Sequence, residues 1–299
     1  MPFQEEIGES ESGNGYALRL SEINDVNFHD LASRIASVGH CYVPSAAARW
    51  VAYVYGTSYE RLLARLPSRR RQKGETVVDF FGHTLSRPYF VRTTRPQICS
   101  VCLDERLPCS ITWELSLVTE CSRHRVQLTD QCGQCGRRIS WRRPGLSLCI
   151  CGSDFREQPV LPSVDVSASI SILCESLMLR RTPAHSLPAW FVPLRELSLD
   201  TFSHCVYAVA HNFFDRSSWS RLLPTAEARV LAIKACDALM LAHSGQPISL
   251  PKARTVAFRS ALEQSSSLER KRIGLYFSRS LFSELDRLSP LRVQLEFGF

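Results

Sequence analysis

The sequence lacks any long apolar run. No stretch approaches the roughly 18 apolar residues that a transmembrane helix needs, so we expect no membrane span. No signal-peptide pattern opens the chain, and we therefore expect a reducing compartment, the cytoplasm, in which disulfides are rare.

Common enzyme motifs are also missing. The sequence contains no GxxxxGK[ST] loop, so we predict no ATP hydrolysis by the chain itself. It has no HExxH, no GxSxG and no glycine-rich dinucleotide turn, and its histidines do not cluster with acids at catalytic spacing. A nuclease built from dispersed carboxylates stays open, because such groups meet only in the fold. We predict that the chain is not an enzyme.

Lysine is scarce. Only Lys73, Lys234, Lys252 and Lys271 contribute to the 36 basic residues, so nearly all the positive charge is arginine. Arginine forms bidentate contacts with phosphate and carboxylate groups, although genomic base composition can produce the same bias. The net charge of +7 is compatible with a nucleic acid or an acidic partner and proves neither.

Cysteine, in contrast, is concentrated between residues 99 and 151. Two ligands separated by one or two residues can turn back on one metal ion, and four such pairs supply two complete tetrahedra. We predict two structural Zn²⁺ sites that have no open position for a catalytic water. The four pairs are Cys99 with Cys102, Cys121 with His124, Cys132 with Cys135, and Cys149 with Cys151.

The pairing of these ligands has two solutions. In the sequential scheme the first two pairs form site 1 and the last two form site 2, which closes short loops and is therefore favoured. A cross-braced scheme would join the first pair to the third and the second to the fourth. Cys109 could be a spare ligand. Cys41, Cys109, Cys174, Cys205 and Cys236 otherwise read as buried thiols.

The pattern predicts a mainly α protein with an N-terminal helix-turn-helix-like part, a central double zinc-finger module and a C-terminal helical bundle. We expect a disordered acidic stretch over 1–14, an N-terminal domain over 15–96, the zinc module over 97–158 and a C-terminal domain over 159–299. The predicted helices include 25–38, two helices within 45–66, and 165–181, 200–214, 225–244, 252–264 and 267–288.

The helices of 45–66 turn at Gly56, and Thr57 with Glu60 could cap the second one. The first helix shows Ala47, Trp50, Val51 and Val54 on one face. This outline fits a helix-turn-helix or a plain helical hairpin.

Two arginine-rich stretches are candidate nucleic-acid contacts, although a solvated face explains either one as well. The first directly follows the two helices, and the second lies on the zinc module. Their members are Arg69, Arg70, Arg71 and Lys73, and Arg137, Arg138, Arg142 and Arg143.

The zinc segment resembles the TniQ family of transposition proteins, which are related to TnsD target selectors. In the family, a proline commonly follows the first cysteine of a ligand pair. Here the first cysteine of three pairs is followed instead by Ser100, Ser122 and Gly133. The shared features, in order, are Cys99, Cys102, Leu103, Asp104, Trp113, Leu115, Val118, Thr119, Cys121, His124, Leu128, Asp130, Cys132, Cys135, Gly136, Cys149, Cys151 and Gly152.

The resemblance implies a non-catalytic adaptor of the bacterial cytoplasm. Such an adaptor helps to choose an insertion site, by binding target DNA or by riding on a CRISPR RNA-guided complex, and then recruits an AAA+ regulator (TnsC or a TniB-like protein). It leaves a homodimer open. The alternative is a self-sufficient zinc-containing regulator that reads a DNA sequence through residues 45–73. A zinc-dependent enzyme would need an open coordination position.

Overall fold

The computed structural model describes residues 2–28, 30, 42–183, 185–210, 222–246, 262 and 265–277. Most of the predicted helices 25–38 and 252–264, and the part of 267–288 that follows Phe277, lie outside these residues, as does Cys41. Among the described residues, no helix is both long and apolar enough to cross a bilayer.

The N-terminal segment is ordered, contrary to the expectation for residues 1–14. Helix α1 (Gly13–Ile23) begins at Ser12, whose Oγ accepts a hydrogen bond from Gly15 N at 3.0 Å. Ile7 is buried, and the Tyr16 hydroxyl donates to the carbonyl oxygens of Glu5 (2.7 Å) and Tyr55 (2.9 Å). These long-range contacts fix the segment, and its acidic composition does not reveal them.

Two short helices follow a 3-10 turn (Ser45–Ala47): α2 (Ala48–Tyr55) and α3 (Tyr59–Ala64). Helix α2 ends at Gly56, which has φ +74, so the predicted glycine stop is confirmed. The cap of α3 is Ser58 and not Thr57. The predicted apolar face is divided, because Trp50 is 65% exposed whereas Val51 is buried.

The basic run 69–73 continues into a β-sheet. Strands β1 (Ser68–Gln72), β2 (Glu75–Phe80) and β3 (His83–Leu85) form an antiparallel sheet in the order β1-β2-β3. Lys73 and Gly74 form the tight turn, with φ values of +49 and +84. The first arginine stretch is therefore mostly an edge strand and not a loop.

The cysteine-rich segment is built from short elements. It buries Ile98, Trp113 and Leu117 in the core and contacts the C-terminal helices directly. Its elements are α4 (Ser100–Asp104), the β4-β5 hairpin (Glu120–Cys121 and Val126–Gln127), and 3-10 turns at Ile111–Glu114 and Phe155–Glu157, after an earlier turn at Pro88–Phe90.

The C-terminal part contains α5 (Asp165–Leu179), a 3-10 helix (Ala189–Glu196), α6 (Leu199–Ala210), α7 (Thr225–His243) and α8 (Ser267–Phe277). Helix α7 packs on α5 and α6. Leu173, Phe202 and Leu231 are fully buried between these helices, and each contributes roughly 1.5–3 kcal/mol of transfer free energy. Cys109, Cys174, Cys205 and Cys236 are buried thiols, as predicted.

A buried ion pair lies between the cysteine-rich segment and the start of α7. Arg92 is fully buried, and its Nη1 lies 3.3 Å from Asp130 Oδ2 while its Nη2 donates to the Leu223 carbonyl at 3.0 Å. The same Asp130 oxygen accepts from Thr225 N at 3.0 Å, at the start of α7. Buried side chains from all three predicted segments belong to one continuous cluster. The domain boundaries stay predictions.

Candidate metal centres and nucleic-acid interface

The first candidate metal centre joins α4 to the β4-β5 hairpin. His124 Nδ1 lies 3.2 Å from Cys102 Sγ, 3.6 Å from Cys99 Sγ and 3.7 Å from Cys121 Sγ. Cys102 Sγ lies 3.7 Å from Cys121 Sγ. Tetrahedral Zn²⁺, with bonds of about 2.3 Å to sulfur and 2.0–2.1 Å to nitrogen, places its ligands about 3.5–3.8 Å apart. The four donors fit such an ion.

Local backbone structure sets these four side chains. Cys99 caps α4, and its Sγ accepts from Cys102 N at 3.4 Å. Hydrogen bonds from the thiols of Cys102 and Cys121 lower the pKa of the Cys99 thiol to about 3. The same contacts and burial raise the pKa of the Cys102 thiol, and the pKa of Cys121 is raised as well, so the cluster favours one thiolate, at Cys99, the form that ligates a metal. Arg125, with φ +52, closes the tight turn that carries His124.

The second candidate centre is built from two short loops, or knuckles. The first carries Cys132 and Cys135, and the second carries Cys149 and Cys151. Cys132 Sγ lies 3.8 Å from Cys151 Sγ, and Cys135 Sγ lies 3.8 Å from Cys149 Sγ. Gly136 (φ +67) donates its N–H to the Cys132 carbonyl at 2.8 Å and turns the first knuckle. Cys135 and Cys151 are exposed, whereas the three thiols of the first centre are buried.

The structure groups the eight predicted ligands in the way that the sequential scheme predicts. In each set the four ligand atoms lie within 4.8 Å of one another, and both sets could hold a metal ion. Among the described residues the cross-braced grouping does not occur, and Cys109 belongs to neither set. The two sets are Cys99, Cys102, Cys121 and His124, and Cys132, Cys135, Cys149 and Cys151.

The second arginine stretch divides into surface and core. Arg137 and Arg138 are exposed and Arg142 is half-buried. Arg143 is 5% exposed, so its prediction as a nucleic-acid contact is wrong. It donates to the Ser140 carbonyl at 2.9 Å and to the Gly145 carbonyl at 3.1 Å, and its guanidinium lies over the rings of Trp141 (5.4 Å) and Phe155 (5.7 Å). Arg143 is a structural residue of the segment that joins the two cysteine pairs of the second centre.

The first stretch is partly neutralised. Arg70 forms an ion pair with Asp79 on β2, and this hydrogen bond lowers the pKa of the Asp79 carboxyl. Arg71 donates to the Gly74 carbonyl at 2.9 Å. Arg69 and Lys73 are exposed and have no acidic partner within the described part of the chain. These two cations remain available to a ligand.

One cleft brings the two predicted stretches together. Arg69 from β1 and Arg138, which follows the Cys132/Cys135 pair, line a cleft of about 430 Å³ together with Arg95. Sequence analysis missed Arg95 because it is a single arginine outside both stretches. The signal for it was its position, four residues before the first metal ligand, Cys99, in the segment that leads into the knuckle.

A polar cluster ties the sheet to α6. Ser86 Oγ lies 2.6 Å from His204 Nε2 and 3.0 Å from Asp200 Oδ1. Asp200 also accepts from Ser86 N at 2.8 Å, so the carboxylate holds the serine and does not orient the imidazole through Nδ1. Burial lowers the pKa of His204 to about 3, which makes it a weak base. This cluster has the geometry of a structural contact.

Residues 2–128 match the family model described as TniQ. The chain carries a TniQ domain. This domain includes the three-stranded sheet and all four ligands of the first candidate metal centre. The resemblance that the cysteine motif predicts is confirmed over this range, and the second centre lies beyond it. No curated protein matches the chain.

Proposed function

We propose that the chain is a non-catalytic adaptor for target-site selection in DNA transposition. It would link target DNA, or a CRISPR RNA-guided complex, to an AAA+ regulator of the TnsC or TniB type. The TniQ domain at 2–128 carries this proposal, because it indicates a role associated with transposition. The pattern of free and paired arginines on the sheet supports contact with a nucleic acid.

We assign Zn²⁺ to both candidate metal centres. Thiolates and an imidazole at tetrahedral spacing are the donors that structural zinc prefers. When bound, the ion supplies a cross-link between distant parts of the chain. Each centre has four protein ligands and therefore no open position for a reacting water, which argues against a zinc-dependent enzyme.

A self-sufficient DNA-binding regulator is the second candidate. The observation that favours it is the order of α2, the Gly56 turn, α3 and the basic strand β1, because a helical pair beside a positive strand is suited to DNA. This regulator would bind one sequence tightly without a partner, and its affinity would depend steeply on salt.

One experiment separates the two candidates. Binding of the purified, zinc-loaded protein to labelled DNA is measured across a salt series, with and without a TnsC-type ATPase and ATP. The adaptor predicts weak, sequence-independent binding alone and stable capture when the ATPase is present. Tight binding of one sequence by the protein alone would replace the adaptor with the regulator.

A further inference from the structure

The cleft that contains Arg69, Arg95 and Arg138, called the basic cleft below, is formed by three separate parts of the fold. Arg69 lies on β1, opposite the buried Val78 of β2. Arg95 lies in the bend before the Cys99/Cys102 pair, and Arg138 lies shortly after the Cys132/Cys135 pair. Thr93, Tyr89 and Glu227 also line it. The fold therefore concentrates three positive charges that are far apart in sequence.

None of these three arginines has an acidic partner among the residues that the structure describes. Neighbouring arginines do: Arg70 pairs with Asp79, and Arg87 Nη1 lies 2.9 Å from Glu75 Oε2. Since unpaired guanidinium groups in one cleft repel each other, an anion that enters it relieves this repulsion. Glu227 in the lining offsets one charge and leaves a positive balance.

The backbone around the basic cleft is fixed. Arg138 pairs with Gln131 across a β-bridge, and Ile139 N donates to the Asp130 carbonyl at 2.8 Å. Trp141 Nε1 donates to the Thr93 carbonyl at 3.2 Å, two residues before Arg95. A preorganised arrangement of this kind loses less entropy when a ligand binds.

Two further groups in the basic cleft suit an anion. Thr93 is 2% exposed, and its hydroxyl Oγ1 has no hydrogen-bond partner within the described residues. A buried hydroxyl without a partner is uncommon, and a ligand oxygen would satisfy it. Pro224 and Glu227 come from the N-terminal end of α7, where the helix dipole favours negative charge.

We propose that the basic cleft binds a phosphate group of a nucleic-acid backbone. The three arginines would donate to the phosphate oxygens, and this contact carries no sequence information. Arg69, Arg95 and Arg138 are exposed, so the phosphate can belong to a continuous polymer that runs across the surface. The choice of DNA as the polymer rests on the proposed role in transposition.

The test uses fluorescence anisotropy of a short labelled DNA duplex with the full, zinc-loaded chain between about 50 and 200 mM salt. Arg69→Gln, Arg95→Gln and Arg138→Gln should each weaken binding about 5- to 10-fold at low salt and reduce the salt slope by about 1. Glu227→Gln should strengthen binding, because it removes the negative charge at the cleft.

Arg106→Gln and Arg195→Gln are matched controls, because both arginines are exposed and lie outside the basic cleft and outside both candidate arginine stretches. Zinc content and Tm equal to those of the wild type show that a variant is folded. The proposal is overturned if the control and cleft variants lose equal affinity, if the cleft variants lose none, or if the wild type binds no DNA at 50 mM salt. Tight binding of inorganic pyrophosphate by a wild type that binds no duplex would indicate a small-anion site and also overturn it.

The same variants separate this inference from the adaptor role. If Arg95→Gln leaves affinity for bare DNA unchanged while the ATPase still captures the protein on DNA, the cleft proposal fails alone. If the cleft variants weaken DNA binding as expected but no ATPase-dependent capture occurs even for the wild type, the adaptor proposal fails alone.

Discussion

Glu105 Oε2 lies 3.1 Å from His124 Nε2, on the side of the imidazole that faces away from the thiols. Nδ1 of the same ring lies within 3.7 Å of Cys99, Cys102 and Cys121. A carboxylate on the second nitrogen of a ligating histidine fixes the orientation of the ring and raises its basicity. Glu105 is placed for this role beside the fourth candidate ligand, although His124 Nε2 forms no hydrogen bond among the described residues.

Glu105→Ala should weaken metal binding at the first centre about 10-fold, because the imidazole loses the carboxylate beside its Nε2. Competition with a chromogenic chelator measures the affinity of each centre. The neighbouring Asp104→Ala is the matched control, since it removes the same charge from an exposed position. Equal losses for the two variants would show that only the net charge matters.

Cys132→Ser should remove one of two bound zinc ions and destabilise the second centre, while the first centre keeps its metal. The reason is that the two ligand sets do not share a residue. Metal content by mass spectrometry, together with the melting temperature, checks this outcome. Cys109→Ser, which changes a buried thiol outside both sets, should retain both ions. Unchanged zinc content in Cys132→Ser would refute the assignment of the second centre.

The exposure of Cys135 and Cys151 predicts a difference between the two centres. Limited peroxide or an alkylating agent should release the metal of the second centre first, because the thiols of the first centre are buried. Peptide mapping of modified cysteines, followed over time with zinc release, measures the order. Modification of Cys99 or Cys102 ahead of Cys135 would contradict the expected order.

Local spacing explains why the two candidate ligand sets were predictable. The members of each pair are neighbours in sequence, and short loops join the pairs, so the pattern alone contained the eight residues and their grouping into two sets. Arg143 was mispredicted for the opposite reason. Its aromatic neighbours Trp141 and Phe155 surround it only in the folded knuckle, where its charge is satisfied by carbonyl oxygens.

The exposed side of α2 was also beyond local reasoning. The helix buries Ala48, Val51, Ala52 and Tyr55, and the ring of Tyr55 packs edge-on against Tyr16 of α1 at 6.3 Å. Helical spacing allows that face or the one with Trp50, and the partner helix decides between them. The convergence of Arg69, Arg95 and Arg138 depends on tertiary structure in the same way.

Glu114 predicts a pH dependence of stability. Burial raises the pKa of its carboxyl from 4.5 to about 8, and Ser12 Oγ donates a hydrogen bond to it. Between these two values the unfolded chain releases a proton that the folded chain keeps. The free energy of unfolding should therefore fall as pH rises from about 5 to 8, by at most about 1.4 kcal/mol per pH unit.

Glu114→Gln should flatten this slope and stabilise the protein at pH 8, because the buried group no longer ionises. Urea denaturation of the zinc-loaded protein at several pH values measures the difference from the wild type. The exposed Glu9→Gln should keep the wild-type slope. Parallel curves for Glu114→Gln and the wild type would show that Glu114 titrates normally.

The Arg92–Asp130 pair predicts a large asymmetry in stability. Arg92→Ala leaves the carboxylate of Asp130 without its buried partner and should destabilise the protein by about 3–5 kcal/mol. Arg87→Ala breaks the exposed pair with Glu75 and should cost at most about 1 kcal/mol. Denaturant unfolding at neutral pH measures both changes.

Asp130 also accepts a hydrogen bond from Thr225 N, so Arg92→Ala should loosen the start of α7. Amide exchange there should accelerate more than at Leu239 in the same helix. Equal costs for the two arginine variants would show that the buried pair does not hold α7 against the metal-binding segment.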